Sequence, residues 1–357
     1  MTRRRVKITE KVPTTPRKVV VYTDNLMTST GVRDPASGES AMDLSRSLAD
    51  TLNKALVIST SFRFDPELNM LEILDPCNLR NNIKVKGLTN YAVSVKMYLL
   101  AASAHTDDRP ASLYVRQAMT CVERQLGPVK IDELFVAFAD ITNHFPKPPD
   151  SRATSTECEN QSDQRPSVAS NTDSNGTCDM TRYLKVWRAL NRLKRTGRAA
   201  KIGICDLSKP QLEALCEQSG IIPDMLQVHV TNDPTEDTNP LDDSLQKLAK
   251  LHDISIRTHT DSMGILSDRT FQILARDFKI NERFPTTEVP PLGYKIDFMR
   301  PRWVVNYNVT LQNRGLVSNR GYIAMASSDC VLDPNRTSRT AYAPAARLSS
   351  SSASSSP

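Results

Sequence analysis

Hydrophobic positions along the chain follow two alternating rhythms: short β-branched runs that read as strands, and apolar residues at three- and four-residue spacing that read as helices. The first run is Lys18-Val19-Val20-Val21-Tyr22-Thr23, a strand. Behind Ser40, a candidate cap, Leu44, Leu48, Leu52 and Leu56 recur near helical spacing. The stretch 60–90, holding Pro66, Pro76 and Gly87, keeps neither rhythm cleanly. From Val93 the pattern is regular. A strand runs to Leu100, and a polar turn at Thr106-Asp107-Asp108-Arg109-Pro110 leads into a helix bearing Val115, Met119, Val122 and Leu126. Gly127-Pro128 ends that helix, and Ile131 to Ala139 forms an apolar strand of the kind buried on both faces of a parallel sheet.

Residues 146–180 break the alternation. They are rich in Ser, Thr, Asn, Asp and Pro and read as a disordered insertion. Order resumes with Tyr183, Trp187, Leu190 and Leu193 on one face of a helix. Its other face carries Arg182, Lys185, Arg188, Arg192 and Arg195, read as a solvated face rather than a phosphate site. Ala200 to Leu207 is a strand, and Ser208-Lys209-Pro210-Gln211 matches a capping box opening a helix that ends at Gly220. Gln227 to Val230 and Ile254 to His259 are further strands, separated by a helix bearing Leu245, Leu248 and Leu251. Trp303 to Leu311 reads as another helix, and Tyr322-Ile323-Ala324-Met325 as the last apolar run.

Seven or eight strands alternating with helices predict an α/β fold, a (β/α)8 TIM barrel. An open doubly wound sheet is the alternative, weakened because no GxGxxG follows the first strand. The domain layout is a disordered basic arm (1–17), one barrel (18–330, interrupted by 146–180) and a disordered Ser-rich tail (331–357).

Composition narrows the function. No run of 18 or more apolar residues exists, so no membrane span is expected. The net charge of +6 is spread along the chain and argues little for nucleic acid. Seven cysteines (Cys77, Cys121, Cys158, Cys178, Cys205, Cys216 and Cys330) show no CxxC spacing, which predicts mostly free thiols in a reducing, cytoplasmic compartment and no metal site.

The segment from Leu190 to Leu215, LNRLKRTGRAAKIGICDLSKPQLEAL, resembles a helix–strand–helix phrase of aldo-keto reductases. A nearer resemblance is to the glutamate–cysteine ligase modifier (regulatory) subunit. It rests on Thr23 to Met27, Val95 to Tyr98, Ile202 to Glu213, Thr258 to Asp261, and the ending Asn313-Arg314-Gly315-Leu316-Val317-Ser318-Asn319-Arg320-Gly321-Tyr322-Ile323. This resemblance implies an aldo-keto-reductase-type barrel that has lost its catalysis.

Aldo-keto reductases use a tyrosine acid tuned by lysine, aspartate and histidine. Carried over by position, the lysine is Lys96, the histidine falls on Phe138, and tyrosine and aspartate have no counterpart. Among nicotinamide contacts Gln227 is kept, while a Ser-Asn pair becomes Cys205-Asp206. The resemblance therefore implies a non-enzyme without a cofactor, save weak residual NADP binding. Its partner is the catalytic subunit of glutamate–cysteine ligase, bound as a heterodimer that tunes glutamate use and glutathione feedback. The expected contact surface is the strand-end loops: Asp206, Leu207, His259, Asp261, Arg314, Arg320 and Tyr322. The rival expectation is an active NADPH-dependent aldo-keto reductase.

Overall fold

A computed structural model describes residues 17–27, 40–75, 90–100, 111–138, 181–230, 243–261, 264–284, 294–296, 298–312, 315–328 and 330–332. In chain order the elements are β1 (Arg17–Tyr22), α1 (Ser40–Val57), β2 (Phe62–Asp65), β3 (Met70–Leu74), β4 (Tyr91–Leu99), α2 (Ala111–Leu126) and β5 (Ile131–Phe138). Then follow α3 (Thr181–Arg195), β6 (Ala199–Cys205), α4 (Lys209–Ser219), β7 (Met225–His229), α5 (Asp243–Leu251), β8 (Ser255–His259) and α6 (Asp268–Asp277). The last strands are β9 (Tyr294–Ile296), β10 (Arg300–Leu311), β11 (Leu316–Ser328) and β12 (Cys330–Leu332). The 146–180 insertion lies outside the described residues, as do the arm before Arg17 and the tail beyond Leu332.

The fold is α/β, built on a parallel-rich ten-stranded sheet in the order β2-β3-β1-β11-β10-β4-β5-β6-β7-β8. The run from β4 to β8 is wholly parallel, each step crossing over through a helix, and β1 is parallel to β3. Between β1 and β4 stands the antiparallel hairpin β10–β11, where a (β/α)8 repeat would place parallel strands. The ladder among the described residues ends at β2 and β8.

Trp303 to Leu311 is a strand, not the helix that its apolar density suggested. Trp303, Val305, Tyr307 and Val309 alternate into one core at a period of two. Aromatic and β-branched side chains of this kind suit a pleated surface. The domain boundaries shift slightly as well, because Arg17 already pairs with Ser328, and Cys330 to Leu332 pairs with β9.

Side-chain alternation divides the core in two. Val93, Val95, Met97 and Leu99 of β4 face the layer of α2, α3, α4 and α5, joined by Leu134, Val136 and Phe138 of β5. Tyr98, Phe135, Ala137 and Cys205 face the other way, toward α1 and α6. At the start of α4, the Ser208 backbone N–H donates to Gln211 Oε1 at 2.7 Å, the Gln half of the capping box. Gly220 closes that helix at φ +66°, a conformation that side chains resist.

The late hairpin is tied to the start of the chain. Thr23 Oγ1 accepts from the Tyr322 N–H at 2.8 Å and donates to the Tyr322 carbonyl at 3.2 Å. Asn25 donates through Nδ2 to the Ser318 carbonyl at 3.1 Å and accepts the Arg320 N–H at 3.1 Å. The early Thr-Asp-Asn-Leu turn and the Arg-Gly-Tyr-Ile phrase are therefore two halves of one contact. The glycine of that phrase has its own reason. A Cβ on Gly321 would strike the ring and hydroxyl of the buried Tyr307 on the neighbouring strand.

Candidate functional site

The C-terminal ends of the parallel strands bring polar side chains together under the α1–α6 layer. β4 supplies Lys96 and Tyr98, β6 runs into Cys205 and Asp206, β7 supplies Gln227, and β8 ends at His259, with Asp261 just beyond. Neighbouring parallel strands end side by side, so residues far apart in sequence meet there.

The groups are bound to one another. The Lys96 ammonium sits 2.7 Å from Asp261 Oδ2, and the Tyr98 hydroxyl donates to the same oxygen at 2.8 Å. Burial pushes the Asp261 carboxyl upward. The Lys96 charge and the hydrogen bonds from Lys96 and Tyr98 outweigh that push and hold it below its ordinary value. Tyr98 moves the other way: burial, then the Asp261 charge, raises its hydroxyl well above the usual tyrosine range.

A second linkage crosses the strand ends. Asp206 adopts φ +60°, unusual for a residue with a side chain. Three hydrogen bonds hold it there: its N–H donates to the Gln227 carbonyl at 2.8 Å, and Oδ1 lies 2.9 Å from both the His229 N–H and His259 Nε2. The Asp261 N–H donates to His259 Nδ1 at 3.2 Å, so Nε2 carries the proton offered to Asp206. Asp206, His259 and Asp261 thus join β6, β7 and β8 into one polar seam.

At the positions expected to contact a nicotinamide, the polar groups engage one another. The Asp206 carboxylate is engaged on His259 and His229. Cys205 is fully buried, its thiol 3.4 Å from Gln227 Oε1. Burial, relieved only partly by Lys96, pushes that thiol up to about 12.

The carry-over of the catalytic histidine needs correction. Phe138 pairs with Leu99, not Lys96, and its ring packs edge-on against Tyr183 of α3, centroids 4.5 Å apart. It lies on the opposite face of the sheet from the polar cluster, so it does not stand in for a group beside Lys96. The histidine near Lys96 is His259. Sequence reading missed Tyr98, although its place two residues after Lys96 on a strand puts both on one face.

Of the expected contact residues, Asp206, His259 and Asp261 gather in this cluster. The Leu207 and Tyr322 side chains are buried, so they do not present a surface to a partner. Arg320 is half-buried and reaches the Tyr322 hydroxyl at 3.4 Å, and Arg314 lies outside the described residues. Among the described residues no group of His, Cys, Asp or Glu could hold a metal ion, and no helix is long and apolar enough to cross a membrane.

Comparison with known proteins bears on this geometry. No family model matches the chain. The glutamate–cysteine ligase regulatory subunit of Mus musculus is 29% identical over 140 residues, 39% of this chain and 45% of the mouse protein. The Homo sapiens subunit is 28% identical and the Bos taurus subunit 27% over the same length. The matched stretch thus spans less than half of these relatives. Among solved structures, an aldo/keto reductase from Brucella melitensis is 18% identical with a TM-score of 0.28, covering 52% of each chain. A Bombyx mori aldo-keto reductase solved with NADP is 21% identical with a TM-score of 0.26, covering 42% of this chain and 38% of that one. Such shallow overlap carries no weight of its own, and the fold rests on the strand order above. By sequence, the chain is similar to the glutamate–cysteine ligase regulatory subunits.

Proposed function

We propose that this chain is a non-catalytic regulatory subunit of glutamate–cysteine ligase. It binds the catalytic subunit as a heterodimer, improves glutamate use and eases feedback by glutathione, and it holds no nicotinamide cofactor. The curated relatives support the regulatory role through their names. One structural observation supports the absence of chemistry: the Tyr98 hydroxyl, beside Lys96, donates its hydrogen bond to Asp261 and is held far above an acid's working range. A general acid works best with a pKa near the operating pH, and this one is moved the wrong way. Regulation asks less. The subunit needs only to bind the active form of its partner better than the less active form, and a coupling of about 1–3 kcal/mol changes an effector's affinity several-fold or more.

Co-purification with glutamate–cysteine ligase activity is the test. Glutamate dependence and glutathione inhibition are measured with and without the chain. A lower glutamate requirement and weaker inhibition in its presence are expected, and unchanged kinetics from a stable mixture would sink the proposal.

The second reading is an NADPH-dependent reductase. Its supporting observation is that a tyrosine, a lysine, an aspartate and a histidine do meet at the strand ends, though in a different arrangement from the one the motif predicted. Turnover of NADPH with an aldehyde, abolished by Tyr98→Phe, would establish it.

A further inference from the structure

On the outer face of the sheet, α3 has no acidic side chain, and Lys185, Arg188, Arg192 and Arg195 stand on it at spacings of three, four and three residues, all exposed. That spacing sets them in one row along the helix, about 15 Å long at a rise of about 1.5 Å per residue. Like charges three or four residues apart on a helix repel. The helix macrodipole offsets the repulsion for Arg192 and Arg195 in the last turn, but it gives Lys185 and Arg188 no support. Among the described residues Lys194 is the α3 cation with an acidic partner, Asp224, and it stands outside the row.

The row borders a groove of about 500 Å³ between α2 and α3. Lys185, Arg188 and Arg192 line it from one side and Arg116 from the other, with no acidic residue among the described lining. α2 carries a single carboxylate, Glu123, and Arg198 already holds it in an ion pair. The groove also has an apolar floor open to solvent, since Leu113 and Ala189 are only half-buried. Cations from two helices converging on one groove make a field that favours a negatively charged guest.

The lining narrows the kind of guest. A single nucleic-acid strand would stack its bases on aromatic faces, but Tyr114, Tyr183 and Trp187 of these helices are buried. A lipid surface would take up exposed apolar side chains, and among the described residues neither helix exposes a large one. A second copy of the same face would bring like charges together. An acidic polypeptide answers both parts of the groove, the cations and the floor.

We infer that the α2–α3 groove is a docking surface for an acidic segment of a partner protein, with Asp or Glu interleaved with leucine-like side chains. Its carboxylates pair with Arg116, Lys185, Arg188 and Arg192, and its apolar side chains rest on Leu113 and Ala189. About three helical turns of such a segment match the row in length. The surface is defined by its own charge and shape, and it stands whether or not the partner is a ligase subunit.

The test is fluorescence anisotropy of the purified full chain with a labelled peptide of four Glu-Glu-Leu-Glu repeats, at low and at physiological salt. Saturable binding is expected, weaker at the higher salt because exposed charges are screened. The double reversal Arg188→Glu with Arg192→Glu should weaken it roughly tenfold or more. Lys247→Glu with Lys250→Glu, an exposed pair on α5, changes the net charge equally and should leave affinity within about twofold. The same peptide with Ser in place of Leu should bind roughly fivefold more weakly. Circular dichroism checks that both double variants keep the fold. Absence of saturable binding, an equal loss from the two double variants, or equal affinity for the Leu and Ser peptides would overturn the inference. So would oligothymidylate held more tightly than the peptide through Arg188 and Arg192, which would make the groove a nucleic-acid site.

Discussion

Asp261→Asn probes whether the strand-end cluster is held together by charge. The carboxylate accepts from Lys96 at 2.7 Å and from Tyr98 at 2.8 Å, with side-chain exposures of 9% for Lys96 and 24% for Asp261. Hydrogen bonds to charged groups contribute about 1.5–3 kcal/mol each, neutral ones about 0.5–1.5 kcal/mol. Asparagine keeps a neutral acceptor for both donors but leaves the Lys96 ammonium with no counter-charge. Breaking a fully buried pair costs about 3–5 kcal/mol, and the partial exposure of Asp261 lowers the expectation here to about 2–3 kcal/mol. Urea denaturation at neutral pH measures the loss. A double-mutant cycle with Lys96→Met apportions it: the double variant should cost less than the sum of the two singles by about 1 kcal/mol or more. The pH dependence has a definite sign. The folded carboxyl lies below its unfolded value, so its contribution is present above the ordinary aspartate range, about 3.9, and is lost as pH falls through the lower folded value. The gap between wild type and Asp261→Asn should therefore close on acidification. A variant within about 0.5 kcal/mol of wild type at neutral pH, or strict additivity with Lys96→Met, would refute this account.

Two further outcomes follow from burial. Gly321→Ala forces a methyl into the Tyr307 ring, and overpacking of this kind costs about 1–3 kcal/mol; Tyr307→Phe, which removes the hydroxyl from the clash, should recover part of that loss in denaturant melts. Among the described thiols, Cys205 and Cys121 are buried with their thiols pushed up to about 12 and about 11, whereas Cys216 is half-exposed. Mass-spectrometric mapping after brief iodoacetamide treatment of native protein should find Cys216 labelled well before the other two, and early labelling of Cys205 would contradict its packing.

The alternating βα stretch was legible because each element there satisfies one simple pattern. β5 is apolar without a break from Leu134 to Phe138, as a strand buried on both faces must be, and α3 separates its apolar from its basic face along its length. β2 and β3 escaped notice because they are four and five residues long with Pro66 in the turn between them, too short for periodicity to register. β10 was misread because it opens on the unbroken apolar run Trp303-Val304-Val305, which a buried helix could equally carry, although Tyr307, Val309 and Leu311 then alternate with Asn306, Asn308 and Thr310. At the site, Lys96, Asp206, Gln227, His259 and Asp261 were within reach, since strand ends in a parallel sheet converge whatever lies between them. Tyr98 was not singled out, because the search was for a tyrosine upstream of Lys96. Phe138 was given the wrong role because counting along a strand does not say which face a residue occupies, and a shift of one position exchanges the two layers.

The position of the β10–β11 hairpin reaches beyond the native structure to how the chain is made. These strands leave the ribosome after every other member of the large sheet, yet they occupy its middle, and Thr23 waits for a partner 299 residues away. Until they arrive, β1 and β4 each offer an open row of backbone donors and acceptors, the template on which chains pair with one another. A message cut short before Arg300 would therefore yield two half-sheets with nothing to join them. Such a product belongs to the insoluble fraction and to the quality-control proteases, where even a small truncation would act as a complete loss.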